Sequence, residues 1–272
     1  MVSLDGELVA AGEAKVSAFD RGLTHGLGLY ETIKLVDGVP VFFGEHCDRL
    51  ETGLAALDID VPWRRDRLAN DIVRLSDASA VANGGCRLMV SAGAPWGEPT
   101  VLIHTLTRGR PREPLAVVAY RDLRSSGEFK SVSFVASHRA QQAAARAGAD
   151  DALFVDTEGR IHEAATANVF VSRGGVLSTS PLDGSILPGV IRRLLEELAR
   201  ADDLEVVERY TLVDDLTTSD TVLLTSSVRG IALVGSIDGI PTGCDDELLG
   251  RLRSLLGSAE QVSAAAFRRR YL

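Results

Sequence analysis

Residues 148–179, GADDALFVDTEGRIHEAATANVFVSRGGVLST, decide how this chain reads. Positions 152–155, 160–162, 168–171 and 176–179 are short runs rich in apolar and β-branched residues. Glu158-Gly159 and Gly174-Gly175 stand between them as turn signals. The spacing predicts a β-meander. Upstream, 137–146 has helical spacing, and Gly148 is placed to end that helix in a left-handed conformation. Downstream, Gly189 opens a helix carrying Leu194, Leu195 and Leu198. Val222-Leu223-Leu224-Thr225 predicts a buried strand, and a last helix is expected over about 244–256.

The chain before this stretch reads as a separate α+β unit. A strand at 6–9 leads through a loop at Phe19-Asp20-Arg21-Gly22 and a glycine-rich segment, His25-Gly26-Leu27-Gly28. Residues 30–36 alternate like a half-buried strand. Asp37-Gly38 is a hairpin turn, and 39–43 is expected to be its return strand. Helices follow at 46–57, where Leu50, Leu54 and Leu57 share a face, and at 65–76. Strands follow at 87–91 and 100–104. The run Arg108-Gly109-Arg110-Pro111-Arg112-Glu113-Pro114 breaks the pattern and reads as a linker. The expected organisation is a smaller N-terminal α+β domain over 1–108, a linker over 109–115, and a larger C-terminal domain over 116–272. In the latter, 116–120 and 132–135 are further expected strands.

Composition narrows the classes. The chain has 272 residues, 45% hydrophobic and 25% charged, which suits an ordinary globular protein. Its net charge of −9 and lack of a basic block argue against nucleic acid as a partner. Arg268-Arg269-Arg270 reads as a solvated tail. No apolar run approaches the about 20 residues needed to span a bilayer. The N-terminus carries early acids and no basic region, unlike a secretory signal. Cys47, Cys86 and Cys244 fit neither a disulfide framework nor zinc spacing; they read as small buried hydrophobes in a reducing cytoplasm. The five histidines form no short-spaced pair. Nucleophile-elbow, Walker and dinucleotide-binding patterns are absent from the sequence.

Of the 29 basic residues only three are lysines, Lys15, Lys34 and Lys130. Lys130 adjoins a segment, 131–137, with no charge of its own. Partial desolvation there would lower the ammonium pKa and free the amine as nucleophile or base, although an amine snorkelling from a strand edge is the commoner case. Lys34, beside a turn, and Lys15, in a loop, read as solvated. Pro188-Gly189-Val190-Ile191 places unpaired first-turn N–H groups at a helix start, where a phosphate binds well. Thr225-Ser226-Ser227 offers hydroxyls after a buried strand. Glu163 faces the small residues Ala164-Ala165-Thr166-Ala167, which leave room for a ligand.

Taken in order, these segments resemble the class IV aminotransferases, the fold-type IV pyridoxal-phosphate enzymes. The resemblance runs from Asp20 to Gly239. It is carried by Asp20-Arg21-Gly22, Tyr30-Glu31-Thr32, His46-Cys47-Asp48-Arg49-Leu50, Lys130-Ser131 and Gly148-Ala149-Asp150-Asp151-Ala152. Glu163 through Phe170, Leu187 through Arg192, Thr225-Ser226-Ser227 and Ile237-Asp238-Gly239 complete it. It implies an α+β, two-domain fold whose larger domain holds pyridoxal 5′-phosphate on a meander or barrel-like sheet. Lys130 matches the lysine that forms the Schiff base and then moves protons. Glu163 matches the acid on the pyridine nitrogen, which keeps the ring an electron sink. Arg49 matches the phosphate-gripping arginine. Val190 and Ile191 match the backbone donors of the phosphate cup, and Ser227 its hydroxyl. Tyr30 and Thr32 match substrate-side positions.

Two departures bear on the reaction. Ile191 stands where many transaminase relatives have threonine. Ser91-Ala92-Gly93 lacks an arginine before the glycine, so Arg87 and Arg229 become the candidates for gripping a substrate carboxylate. Thr32, the missing threonine at 191 and the small residues after Glu163 are similar to 4-amino-4-deoxychorismate lyases, which make 4-aminobenzoate and pyruvate for folate synthesis. The alternative is an amino-acid transaminase of the D-amino-acid or branched-chain type. The family implies a cytoplasmic homodimer acting on a small molecule.

Overall fold

A computed structural model describes residues 1–61, 63–107, 113–123, 127–216 and 220–272. Its contacts divide the chain into two units. The first takes the described residues of 1–109 with 129–133 and 259–272; the second takes those of 110–128 and 134–258. Residues 109–112, the greater part of the expected linker, lie outside the described residues; Leu115 already opens a strand.

The first unit contains β1 (Val2–Leu4), β2 (Glu7–Val9), α1 (Arg21–His25), β3 (Gly28–Val36), β4 (Val39–Pro40), α2 (Phe43–Ala56), α3 (Arg65–Ala78), β5 (Gly84–Ser91) and β6 (Thr100–Leu106). Its antiparallel sheet has the order β2-β1-β6-β5-β3-β4. Strand β3 alternates as its sequence predicts. Leu29, Ile33 and Leu35 are buried on one face with Leu88 and Val90 of β5; α2 and α3 contribute Leu50, Leu54, Leu68, Ile72 and Leu75 to the buried set. Asp20, expected in a loop, caps α1: its carboxylate accepts the Gly22 N–H at 2.7 Å.

The second unit contains β7 (Leu115–Tyr120), α4 (Val135–Arg146), β8 (Asp151–Val155), β9 (Arg160–Ala164), β10 (Asn168–Arg173), β11 (Val176–Thr179), α5 (Val190–Ala201), β12 (Glu205–Glu208) and β13 (Thr211–Leu212). Then come β14 (Thr221–Ser226), β15 (Gly230–Ile237), β16 (Ile240–Pro241) and α6 (Asp246–Tyr271), whose last part belongs to the first unit. The sheet order is β12-β11-β10-β14-β15-β7-β8-β9-β13, with β16 on β15. The meander thus forms as expected. Strand β8 is buried on both faces. Leu153 and Val155 join Ile161, Val169, Leu224 and Val234, while Ala152 and Phe154 pack under Ala140 and Ala144 of α4. Truncating Phe154 to alanine would open a cavity there, at a cost of about 3–5 kcal/mol. Each unit thus mixes α-helices with a β-sheet, the α+β class expected from the sequence.

Four local expectations are corrected. The return strand stops at Pro40, and α2 starts at Phe43. Val41, Phe42 and Phe43 are all buried, and so short an apolar run has no period to separate strand from helix. Residues 132–135 form no strand. Ser131 makes a single bridge to Leu29, and α4 begins at Val135. The last helix is 26 residues long and ends at Tyr271, so the terminal arginines are its last turn rather than a tail. Cations there face the negative end of the helix dipole. Lys34 is not solvated: its Nζ donates to Glu260 Oε2 of α6 at 2.6 Å.

Candidate active site

In the first unit the site is organised by the alternation of β3. Tyr30 and Thr32 point to one face, and Glu31 points to the other. Opposite them on β5, Thr32 pairs with Arg87 and Tyr30 with Met89, so Arg87 shares the face of Tyr30. Its guanidinium carbon lies 4.8 Å from the Tyr30 ring centroid. Arg87 Nε is buried with no hydrogen-bond partner among the described residues.

Lys130 sits at the open edge of β3. Tyr30 N–H donates to the Lys130 carbonyl at 2.9 Å, and Val132 N–H donates to the Gly28 carbonyl at 3.0 Å. These two bonds hold the lysine against the strand, with Nζ 4.7 Å from the Tyr30 ring centroid. Lys130 is half-buried.

On the other face Glu31 is 1% exposed. It accepts from Arg49 Nε at 2.8 Å, Arg49 Nη2 at 2.6 Å and His46 Nδ1 at 2.7 Å. Burial pushes its carboxyl up, but Arg49 and His46 outweigh that and bring it down to about 2. Burial pushes the His46 imidazole below its usual range, against the pull of Glu31. Arg49 is therefore fixed in direction by a bidentate carboxylate. His46 and Arg49 stand three residues apart on α2, a spacing that shares one helix face.

In the second unit Glu163 is 2% exposed on β9. Its Oε2 accepts the Leu187 N–H at 3.1 Å and Asn168 Nδ2 at 3.4 Å. Asn168 also donates to the Leu187 carbonyl at 2.9 Å. Two residues on, Gly189 caps α5 with extended backbone and no side-chain cap. A Cβ there would lie 1.9 Å from Asn168 Oδ1, so any side chain at 189 would push the Asn168 amide aside. Val190 and Ile191 supply the first buried turn of α5. Strand β14 pairs Thr225 with Asn168, which puts these two residues on one face of their sheet. Thr225 Oγ1 is buried without a hydrogen-bond partner among the described residues. Ser227 is half-buried just beyond that strand. Arg229 is taken up by Asp151, Nη1 to Oδ2 at 3.3 Å.

A flat polar aromatic bearing a phosphate fits this donor set. A helix start without a side-chain cap and Ser227 suit an oxyanion, Glu163 suits a ring N–H, and the orphaned Thr225 hydroxyl lies opposite Asn168, which binds Glu163. Sequence reasoning missed the Glu31 partnership and Asn168. An acid amid the buried face of a strand, with His46 and Arg49 on one helix face, was the available signal.

A family model described as amino-transferase class IV matches residues 28–237. The Methanocaldococcus jannaschii protein named "Putative branched-chain-amino-acid aminotransferase" is 30% identical over 260 residues, 88% of either chain. A D-alanine aminotransferase of Staphylococcus epidermidis is 28% identical over 253 residues, 88% of this chain and 89% of that one. Among solved structures, a Legionella pneumophila protein titled "Putative 4-amino-4-deoxychorismate lyase" superposes with a TM-score of 0.84 at 26% identity, covering 92% of this chain and 97% of that one.

Proposed function

The chain belongs to the class IV aminotransferases, whose cofactor is pyridoxal 5′-phosphate, and on that premise we propose that it is a 4-amino-4-deoxychorismate lyase. When bound, the cofactor supplies a protonated pyridine ring that accepts the electron pair of a breaking C–H bond. Lys130 Nζ removes the proton from the ring carbon that bears the substrate amine. The same amine then returns a proton to the departing enolpyruvyl group, so one lysine is base and then acid. The C–O bond breaks, pyruvate leaves, and the remaining ring becomes aromatic 4-aminobenzoate. No second substrate is consumed. Glu163 holds the pyridine N–H; Arg49, Val190, Ile191 and Ser227 hold the phosphate. Arg87, with its buried Nε and its stacking on Tyr30, takes a substrate carboxylate.

Thr32 carries the choice of reaction. Its hydroxyl lies on the sheet face of Tyr30 and Arg87, directly paired with Arg87. A hydroxyl there can orient the leaving enolpyruvyl group, which the valine common in D-amino-acid transaminases cannot do. The second reading is an amino-acid transaminase, favoured by the names of the branched-chain and D-alanine relatives. Purified enzyme with aminodeoxychorismate and no keto acid should release pyruvate and 4-aminobenzoate in equal amounts. Strict dependence on a keto acid, with consumption of an amino acid, would refute the lyase. Lys130→Ala should abolish covalent fixation of the cofactor by borohydride; persistent fixation would remove Lys130 from its role. We further infer a cytoplasmic homodimer. No helix among the described residues is long and apolar enough to cross a membrane.

A further inference from the structure

Next to Glu163 on β9, His162 belongs to a polar cluster with no role in the chemistry above. His162 is 4% exposed. Its Nε2 is 3.0 Å from Asp156 Oδ2, and its Nδ1 is 2.8 Å from Ser185 Oγ. Ser185 Oγ is in turn 3.2 Å from the Tyr210 hydroxyl, which donates to Asp183 Oδ2 at 2.5 Å. Asp156 also accepts from Arg160 Nε at 2.6 Å, Arg160 N at 2.8 Å and Glu158 N at 3.0 Å. Burial pushes the Asp156 carboxyl up, but these bonds hold it well below the usual carboxylate range. An ionised Asp156 only accepts, so His162 Nε2 carries the proton between them. Nδ1 is left to pair with the Ser185 hydroxyl.

Asp156, His162 and Ser185 have the connectivity of a nucleophilic triad. The Ser185 N–H, however, donates to Asp183 Oδ1 at 3.1 Å and so is not an oxyanion donor. What the cluster does hold is backbone. Ser185 begins the run that reaches Leu187, whose N–H binds Glu163, and Gly189, which starts α5. Gly127 presses so close that a Cβ on it would fall 2.3 Å from the Ser185 carbonyl carbon.

We propose that His162 is a positioning residue: through Ser185 it fixes the segment 185–189, and so aims the Leu187 N–H at Glu163 and sets the start of α5. This rests on the reading of Glu163 and α5 as cofactor partners. The test uses the full-length holoenzyme with pyridoxal 5′-phosphate as the probe. It measures the cofactor dissociation constant, the pH profile of the bound-cofactor absorption band, and the apoprotein melting temperature. His162→Leu should weaken cofactor binding about fivefold to tenfold, the worth of one lost hydrogen bond. It should also move the absorption profile in the direction that Glu163→Gln moves it. His162→Asn, whose amide can replace Nδ1 against Ser185, should stay within about twofold of wild type by the same reasoning. Ser185→Ala removes only the hydroxyl and should behave like His162→Leu, so it decides the matter if the leucine variant does not fold. Wild-type affinity and absorption in Ser185→Ala overturn the proposal. So does an equal loss in the Leu and Asn variants that appears only as a lower melting temperature. Failure of wild type to bind the cofactor would overturn both this proposal and the function it rests on.

Discussion

Replacing Glu31 by glutamine removes the buried negative charge between Arg49 and His46, and one of its two acceptor oxygens, while keeping its shape. A carboxyl whose pKa falls from 4.5 to about 2 on folding contributes about 3 kcal/mol at neutral pH. Because the folded-state value is the lower one, this contribution is complete above the unfolded value of 4.5. It is lost as the pH falls toward the folded value, about 2. By the same relation it is still about 2 kcal/mol at pH ~3.5. Glu31→Gln also leaves Arg49 facing a neutral amide, and breaking a buried pair from one side is costly, unlike replacing the pair whole. The expected loss is about 3 kcal/mol at pH ~7, or about 6–12 °C in Tm for a chain of this size. The gap to wild type should narrow by about 1 kcal/mol or more between pH ~5 and ~3.5. Thermal unfolding of both apoproteins followed by circular dichroism measures it. A gap that stays constant with pH, or one below about 1 kcal/mol at pH ~7, would refute the ion-pair reasoning.

Gly189→Ala should displace Asn168 from Glu163, costing about 1–3 kcal/mol in stability and weakening cofactor binding; an unchanged dissociation constant would show that the contact does not matter. Burial pushes the Cys47 and Cys86 thiols up to about 12, whereas Cys244 is exposed. Native protein should therefore titrate one thiol with a disulfide reagent, and all three only after unfolding. A double-mutant cycle on Lys34→Met and Glu260→Gln should give a coupling of about 1–2 kcal/mol, above that of a surface pair, and a value near zero would return Lys34 to solvent.

The meander, the glycine-capped start of α5 and the alternation of β3 were legible because each is a local pattern: turn residues at fixed offsets and a period of two. The apolar run 41–43 was not, since three buried residues carry no period. Nor was the seat of Lys130. Its two backbone bonds to β3 join segments far apart in the chain, and a bridge of one residue leaves no periodic trace. The ion pair of Lys34 with Glu260 spans 226 residues, beyond any helical or strand spacing. For the same reason the three exposed-looking arginines of the C-terminus became a helix end only when α6 was seen to continue. Glu163 and Arg49 were legible as residues, but not their orienting partners. Asn168 and Leu187 come from different segments, and Glu31 was masked by its place inside a strand motif.

The two acids share a logic that ties function to register. In β3, Tyr30 and Thr32 face the proposed chemistry, while Glu31 between them turns to the buried face and fixes Arg49 from behind. In β9, Glu163 is the proposed cofactor partner, while His162 beside it bonds Ser185 and is the proposed anchor of the segment that supplies the Leu187 N–H. Each strand therefore carries a working side chain and, one residue away, the anchor of a second working group. A slip of one residue would exchange the two, burying the working group and exposing the anchor. Strand β3 is protected against this at its first residue. Gly28 lies opposite Ser91, and a Cβ in its place would come within 2.5 Å of the Val90 carbonyl oxygen. Shifting the strand by one would put Leu29 there, so the backbone contact admits one register only. Glycine at 28 is thus a condition for the amine of Lys130 to meet the ring of Tyr30.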